Sequence, residues 1–262
     1  MKVILQNGDK VQKLIAMFKG ISRITNDINI TPNNEGLYLQ GMDSAHCCLA
    51  EANIHKGWFC EYINGENVAI GINTTMLSNV IDCWSPGYTI QMTTNDENST
   101  LNIVFRGDKL ITKEFNIPQM TIERDIVDIP VVDYSMDLTI VSTEFKNMID
   151  ELKMFGETLI ISCNLDFIKL TSRGDEGVAC LKIKEEDIIE YAVALEEGDT
   201  FVQHVGINMV HICCSMCKIN DEVNVHCSKD SPLKISYSLD GLNTDANPSY
   251  IRFFIAPKVE EI

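Results

Sequence analysis

Histidines and cysteines gather in one stretch of the second half of the chain, where they could bind a metal. Cys214 and Cys217 have the Cys-x-x-Cys spacing of zinc ligands, and zinc favours thiolate and imidazole donors. The neighbouring candidate ligands are His204, His211, His226 and Cys227. No second Cys-x-x-Cys pair completes a set of four ligands. Residues 207–218 also fit an amphipathic helix that buries its thiols as small apolar groups, and this interpretation predicts no metal.

Other catalytic patterns are missing from the sequence. It contains no Gly-x-Ser-x-Gly, no phosphate-binding loop and no His-Glu-x-x-His. The carboxylates are scattered, and no pair has a spacing that singles out a general acid and base. We therefore predict a protein without enzymatic activity and without a cofactor. A zinc-dependent hydrolase that uses Cys214 and Cys217 is the alternative from the enzyme class.

Composition predicts a globular acidic protein. The 262 residues are 45% hydrophobic, enough for a sizeable core, and no apolar run approaches the ~18 residues of a membrane span. The ten cysteines then indicate reduced thiols inside a cell. The formal net charge of −17 argues against adhesion to nucleic acid, which basic patches normally provide.

The hydrophobic spacing repeats after about half the chain. Residues 9–22 form an amphipathic pattern with Val11, Leu14, Ile15 and Phe18 on one face, and Gly20 on the other. The apolar residues Phe145, Met148, Ile149 and Leu152 recur at the same spacing. A helix after Asn73 or Thr74 should bury Met76, Leu77, Val80 and Ile81, and residues 207–218 would be its counterpart. With alternating strands between them, the helices predict two similar α+β units of about 120 residues each.

Residues 118–135 separate the two halves and predict an extended crossing segment. They combine acidic residues with isolated aliphatic ones and lack a clean period. A flexible linker is usually polar, so the aliphatic residues indicate a segment that lies along a surface.

Three separate segments could form one apolar cavity: the turn at residues 42–46, the crossing segment and the C-terminal tail. If they meet, Asp43 and His46 would lie on its rim. Its lining would be Met42, Leu49, Val127, Ile129, Pro232, Phe254, Ala256 and Pro257. Such a site suits a peptide with aliphatic and aromatic anchors. The alternative is that these residues belong to the core at three strand ends.

Ordered motifs along nearly the whole chain resemble those of the proliferating cell nuclear antigen sliding-clamp family. They are Leu39-Gln-Gly-Met-Asp-Ser-Ala-His46, Ile129-Pro130 with Tyr134-Ser135, Glu144-Phe145, Ile160-Ile-Ser-Cys163, Ser231-Pro-Leu233 and Ala256-Pro-Lys258. The resemblance implies an α+β DNA clamp of two similar domains, each with β-sheets and two helices. The domains would be 1–117 and 136–262, joined by an interdomain connector at 118–135.

The resemblance also implies a function. Three identical chains would close head to tail around double-stranded DNA. This ring would be a processivity factor for a DNA polymerase, and a clamp loader would place it on DNA. Replication and repair proteins would dock through a short motif, the PIP box. The protein would work in the nucleus, or at a cytoplasmic replication site if it is viral. A subunit of a checkpoint-type heterotrimeric clamp is the alternative.

Carried over residue by residue, the resemblance assigns two sets of site residues. The peptide-docking residues would be Met42, His46, Leu49, Val127, Ile129, Tyr134, Pro232, Phe254, Ala256 and Pro257. The DNA-facing residues on the four helices would be Lys10, Lys13, Lys19, Lys146, Lys153, His211 and Lys218. Ring closure would pair strand 109–117 of one copy with strand 177–183 of the next.

Encirclement answers the objection raised by the net charge. A ring is held on DNA by topology, so its inner wall needs only a weak attraction that is blind to sequence. The chain departs from the family at four helix positions that are usually basic, which are Asn79, Asp82, Asn147 and Asp150. These departures predict a weaker or differently distributed attraction for DNA.

Overall fold

A computed structural model provides the structure of this chain. It describes residues 1–65, 68–95, 99–107, 111–123, 126–165, 167–183, 188–229, 231–240 and 248–258. No helix within these ranges is long and apolar enough to cross a membrane.

The described residues form two runs of elements in the same order: one strand, one helix, five strands, one helix and three strands. The first run is β1 (Lys2–Leu5), α1 (Gly8–Ile21), β2 (Asp27–Asn33), β3 (Gly36–Met42), β4 (Cys48–His55), β5 (Glu61–Ile63), β6 (Ile70–Asn73), α2 (Thr74–Asp82), β7 (Tyr88–Asn95), β8 (Thr100–Gly107) and β9 (Lys113–Pro118). The second run is β10 (Met136–Val141), α3 (Ser142–Leu152), β11 (Thr158–Cys163), β12 (Ile168–Gly174), β13 (Gly177–Ile183), β14 (Ile188–Val193), β15 (Phe201–Gly206), α4 (Ile207–Cys214), β16 (Glu222–Cys227), β17 (Leu233–Ser238) and β18 (Tyr250–Ile255). The repeat predicted from hydrophobic spacing is therefore present in the structure.

Strand pairing repeats as well. In the first run the order β5-β1-β7-β8-β9 forms one sheet, and β4-β3-β2-β6 are neighbours in another. The second run has the matching orders β14-β10-β16-β17-β18 and β13-β12-β11-β15. β9 and β13 therefore each lie at the end of a sheet. The tail covers the edge at β15, because Pro257 forms an isolated bridge with Val205.

The chain divides into two compact units. Unit 1 comprises Met1–Ser44, Ala50–Ile126 and Ser238–Ile251, and unit 2 comprises Ala45–Leu49, Val127–Tyr237 and Arg252–Ile262. α1 packs against α2 in unit 1, and α3 packs against α4 in unit 2.

In unit 1, an asparagine side chain caps the N-terminus of each helix. The side-chain oxygen of Asn7 accepts hydrogen bonds from the backbone N–H groups of Asp9 (2.9 Å) and Lys10 (3.3 Å). Asn73 accepts from the N–H of Met76 at 2.9 Å, as the sequence predicted for the start of α2. These bonds satisfy N–H groups that the first helical turn leaves without a partner.

The buried faces of the helices differ from the prediction at several positions. Met76 is 50% exposed, whereas Gly20 of α1 is buried. The segment predicted as one helix to residue 218 ends its α-helix at Cys214 and continues as turns. Cys214, the last residue of α4, is fully buried, in agreement with the interpretation of these thiols as small apolar groups.

Glycine is required at the start of β3. A Cβ atom on Gly36 would lie 2.0 Å from the carbonyl oxygen of Ile54, and the residue has a φ of +151°. Any side chain here would push β3 away from the start of the turn after β4.

Between β9 and β10 the described residues contain no helix or strand. Met120 makes a single antiparallel bridge to Gly71, and the side-chain amide of Asn29 donates to the carbonyl of Ile122 at 3.3 Å. Asp125, one of the acidic residues of the predicted connector, lies outside the described residues.

Candidate functional site

Backbone hydrogen bonds join the turn before β4 to the C-terminal tail within unit 2. The N–H of Ala256 donates to the carbonyl of Cys47 at 2.8 Å. Two residues later, the N–H of Lys258 donates to the carbonyl of His204 at 2.7 Å. These two bonds place the residue after His46 beside Ala256 and fix the tail that carries Pro257.

His46 has an unusual backbone conformation. Its φ is +56°, in the left-handed region that non-glycine residues rarely adopt, although histidine does so more often than most. Its side chain is exposed, and Leu49, three residues on, is only 8% exposed. The turn therefore presents the imidazole outward while the following strand enters the core.

A buried glutamine fixes the loop that leads to Pro232. The side-chain amide of Gln203 donates to the carbonyls of Ser228 (3.1 Å) and Ser231 (2.8 Å). Pro232 itself is exposed at the start of β17. On the adjacent strand β18, Phe254 is half-buried whereas Phe253 is fully buried. Phe254 is thus the ring of this pair that a ligand could contact.

Tyr134 lies over a row of ionisable side chains that the sequence reasoning missed. Asp137 is paired with His226 across β10 and β16, and His226 with Lys234 across β16 and β17. The ring centroids of Tyr134 and His226 are 5.3 Å apart, and Nζ of Lys234 is 5.5 Å from the Tyr134 ring. Burial raises the pKa of Tyr134, so its hydroxyl remains protonated. The row holds Tyr134, the last docking candidate of the connector, against the sheet.

The connector residues before Tyr134 expose aliphatic side chains. Val127 is 43% exposed, Ile126 60% and Val131 fully exposed, while Ile129 is half-buried. Consecutive exposed aliphatic groups of this kind are typical of a surface that a partner covers. Met42, the remaining docking candidate, is half-buried and belongs to unit 1.

The candidate DNA-facing lysines of α1 make contacts of different kinds. Nζ of Lys10 donates to the carbonyl of Trp58 at 2.9 Å and lies 5.4 Å from the centre of its indole ring. Nζ of Lys13 donates to the carbonyl of Leu239 at 2.8 Å. These carbonyls are neutral, so neither contact offsets the positive charge of the lysine with a carboxylate.

Carboxylates or imidazole contact the other helix lysines. Nζ of Lys19 lies 2.6 Å from Oδ1 of Asp82 on α2. In unit 2, Lys146 forms an ion pair with Oδ2 of Asp150, one turn along α3, and this hydrogen bond raises the pKa of the lysine. Two further DNA-facing candidates contact each other: Nζ of Lys153 lies 3.2 Å from Nδ1 of His211.

Lys218 differs from these lysines. It is exposed in the turns after α4, and among the described residues it has no hydrogen bond or ion pair. The sequence pattern predicted that Lys218 lies on the polar face of a longer helix. In the structure α4 ends at Cys214, four residues before Lys218.

The cysteines and histidines of the metal hypothesis are dispersed. Cys214 is fully buried, and burial raises its pKa well above the ordinary thiol value, which disfavours the thiolate that zinc requires. Within the described ranges no three His, Cys, Asp or Glu side chains are placed to hold a metal ion.

Unit 2 also contains a cavity of about 450 Å³ that the sequence did not indicate. Its lining comprises Leu165, Phe167, Ile168, Ile183 and the first four residues of β14. The hydroxyl of Tyr191 donates to the carbonyl of Asn164 at 2.6 Å beside it. This cavity is separate from the docking candidates.

Because His226 lies in the row of ionisable side chains beneath Tyr134, we expect the protein to lose stability in mild acid. Burial lowers the pKa of His226, and Lys234 and Arg252 lower it further, against the opposing effect of Asp137. The unfolded chain therefore binds the proton first, and the free energy of unfolding falls as the pH drops below about 6.5. Denaturant unfolding between neutral and mildly acidic pH should show a smaller pH dependence for His226→Gln than for the unsubstituted chain. Identical slopes for the two proteins would contradict this assignment.

Comparison with known proteins covers almost the entire chain. The family model for the proliferating cell nuclear antigen N-terminal domain matches residues 1–127, and the model for its C-terminal domain matches residues 128–258. The proliferating cell nuclear antigen of Chaetomium thermophilum is 26% identical over 259 residues, which is 97% of this chain and 96% of that protein. The predicted family and its α+β clamp fold are thereby confirmed. With both of its halves matched, the chain belongs to the proliferating cell nuclear antigen family of sliding clamps.

Proposed function

We propose that three copies of this chain close into a ring around double-stranded DNA and tether a DNA polymerase and other PIP-box proteins. The observation that carries the proposal is the exact repetition of element order and strand pairing, with one lysine-bearing helix pair in each compact unit. The ring would act through topology and docking, without catalysis, at sites of DNA replication in the nucleus or, for a viral protein, in the cytoplasm. A clamp loader would open and close it.

Two sheet edges support closure into a ring. β9 and β13 end their sheets, and a bare edge is a template for another strand. Because the two edges differ, pairing β9 of one copy with β13 of the next is a heterologous contact, which repeats until the ring closes. This pairing agrees with domains at 1–117 and 136–262 that each contribute one edge.

Exposed aliphatic residues on the connector support peptide docking. Val127 and Val131 lie in the same unit as Phe254 and Pro232, and the tail of that unit is fixed beside His46. A PIP-box peptide would place its aliphatic and aromatic anchors against the docking residues of unit 2 and add main-chain contacts along the connector.

Light scattering on the purified chain, combined with a polymerase extension assay, tests the proposal. The expected mass is about three times the 29.4 kDa of one chain, with longer extension products on a circular primed template. A mass of one chain at working concentration, with no stimulation, would contradict the proposal. Trimer formation only after a different subunit is added would favour a heterotrimeric clamp.

Charge reversal on the helices should weaken the contact with DNA. Lys13→Glu and Lys146→Glu each place a carboxylate where the proposed ring faces phosphate, so polymerase stimulation should fall and depend less on salt. Lys229→Glu, at an exposed position outside the helices, is the matched control for the same change of net charge. Full stimulation by both helix variants at every salt concentration would contradict the assignment of these helices to the DNA side.

A further inference from the structure

Both helix pairs place an aspartate against a lysine that the proposed function assigns to DNA. In unit 1 the pair joins α1 to α2, through Lys19 and Asp82 at 2.6 Å. In unit 2, Asp150 of α3 contacts Lys146 through Oδ2, and its Oδ1 lies 3.1 Å from Nε2 of His211 on α4. Each half of the repeat thus has one aspartate against a candidate DNA-facing lysine, between two helices in unit 1 and within α3 in unit 2.

These pairs cancel much of the positive charge on the helices. Lys19 and Asp82 together carry no net charge. The set of Lys146, Asp150 and Lys153, two lysines and one aspartate, carries a net charge of +1 while His211 is neutral. Lys13, six residues before Lys19 on the same helix, donates to the neutral carbonyl of Leu239, and this contact does not offset its positive charge.

The pairs are exposed enough for phosphate to compete with them. The side chains of Lys19 and Asp82 are 47% and 52% exposed, and those of Lys146 and Asp150 are 32% and 37% exposed. Ion pairs at such positions contribute at most about 1 kcal/mol. A phosphate can therefore approach either lysine, but it meets the repulsion of the neighbouring carboxylate.

We propose that Asp82 and Asp150 are built-in competitors of DNA phosphate, which hold Lys19 and Lys146 and so limit the affinity of the ring for DNA. The inference rests on the proposed function, because it requires that these helices face DNA. A clamp that binds phosphate strongly would stop sliding, and an internal carboxylate weakens each contact without removing the lysine.

Isosteric removal of the carboxylates tests the proposal. Asp82→Asn and Asp150→Asn should each tighten the binding of a short linear duplex about fivefold at low salt, since one charge repulsion at contact distance in water is worth about 1 kcal/mol. The slope of log affinity against log salt should also steepen, by about one per released lysine. Fluorescence anisotropy of a labelled duplex across salt concentrations measures both quantities.

Two controls separate this mechanism from a general change in charge. Glu123→Gln with Asp128→Asn changes the net charge by the same amount as the two helix substitutions together, but on exposed connector positions. Lys19→Gln should cost little affinity in the unsubstituted chain and should abolish the gain in the Asp82→Asn background. Lys13→Gln should cost more than Lys19→Gln.

The outcomes distinguish the inference from the proposed function. If the unsubstituted trimer binds DNA and the helix variants bind no more tightly than the connector control, the inference is overturned. If Lys19→Gln leaves the gain of Asp82→Asn intact, it is overturned as well. If the unsubstituted chain neither binds duplex nor stimulates a polymerase, the proposed function itself fails.

Discussion

Alanine in place of Phe254 or Ile129 is expected to weaken the binding of a synthetic PIP-box peptide by about thirtyfold or more. Both side chains are half-buried in the free chain, so each has surface left for a ligand to cover. Truncation of an aromatic or aliphatic anchor at the centre of an interface typically costs at least about 2 kcal/mol, which corresponds to that factor. Isothermal titration calorimetry with each variant measures the change.

Neighbouring residues provide the comparison for this experiment. Phe253 is fully buried, and its truncation would damage the core, so it cannot serve as a control. Val202→Ala, on β15, removes an aliphatic group that is 44% exposed and lies outside the docking set. It should bind the peptide normally, and all three variants should keep the mass of the unsubstituted protein. Unchanged affinity in both Phe254→Ala and Ile129→Ala would overturn the docking assignment.

Substitution of Phe115 by alanine should break the ring. Phe115 lies on the edge strand β9, is half-buried in one chain and packs edge to face with Phe105 at 5.7 Å between ring centres. If β13 of another copy pairs with β9, the exposed part of this ring is covered there, and its loss recurs at all three interfaces. At about 2 kcal/mol for each contact, the trimer should dissociate at a clearly higher protein concentration than the unsubstituted trimer does.

Sedimentation velocity over a range of concentrations would follow this dissociation. Val178→Ala tests the other edge, because Val178 is 53% exposed on β13. This substitution removes an aliphatic side chain and should weaken the trimer less than loss of the Phe115 ring. Val202→Ala, 44% exposed on β15, is the control that leaves both proposed edge strands intact. A trimer of unchanged stability in Phe115→Ala would show that β9 is not the contact.

The sequence predicted elements well where one local signal was strong. The start of α2 followed from the predicted cap at Asn73, and the half-chain repeat followed from hydrophobic spacing. The prediction of buried residues was wrong where hydrophobic spacing alone could not show which side of the helix faces the core. Met76 satisfies a helical apolar pattern yet is exposed, whereas Gly20 is buried.

Contacts between distant residues could not be predicted in the same way. Asp137 and His226 are 89 positions apart and meet only because β10 and β16 pair in one particular register. The pairing of Lys19 with Asp82 likewise depends on how α1 packs against α2. The sequence showed that aspartates replace the family's usual basic residues, but it did not show which lysines they would contact.

The assignment of site residues depends on these long-range contacts to different degrees. The tail and the turn at His46 are joined by a backbone hydrogen bond from Ala256 to Cys47, which no sequence pattern specifies. The solvent-facing lysines of the helices were easier to predict, because the period of an amphipathic helix shows directly which of its residues face solvent. Docking and DNA contact remain predictions at the level of individual residues.

Retention on circular and linear DNA is the most direct test of encirclement. The protein would be loaded on to a nicked plasmid by a clamp loader, isolated by gel filtration at a salt concentration that screens phosphate contacts, and then treated with an enzyme that cuts the plasmid once. The account predicts that the protein stays on the circle and is lost when the DNA becomes linear. Equal retention on both forms, or release from the intact circle at the same rate, would contradict it.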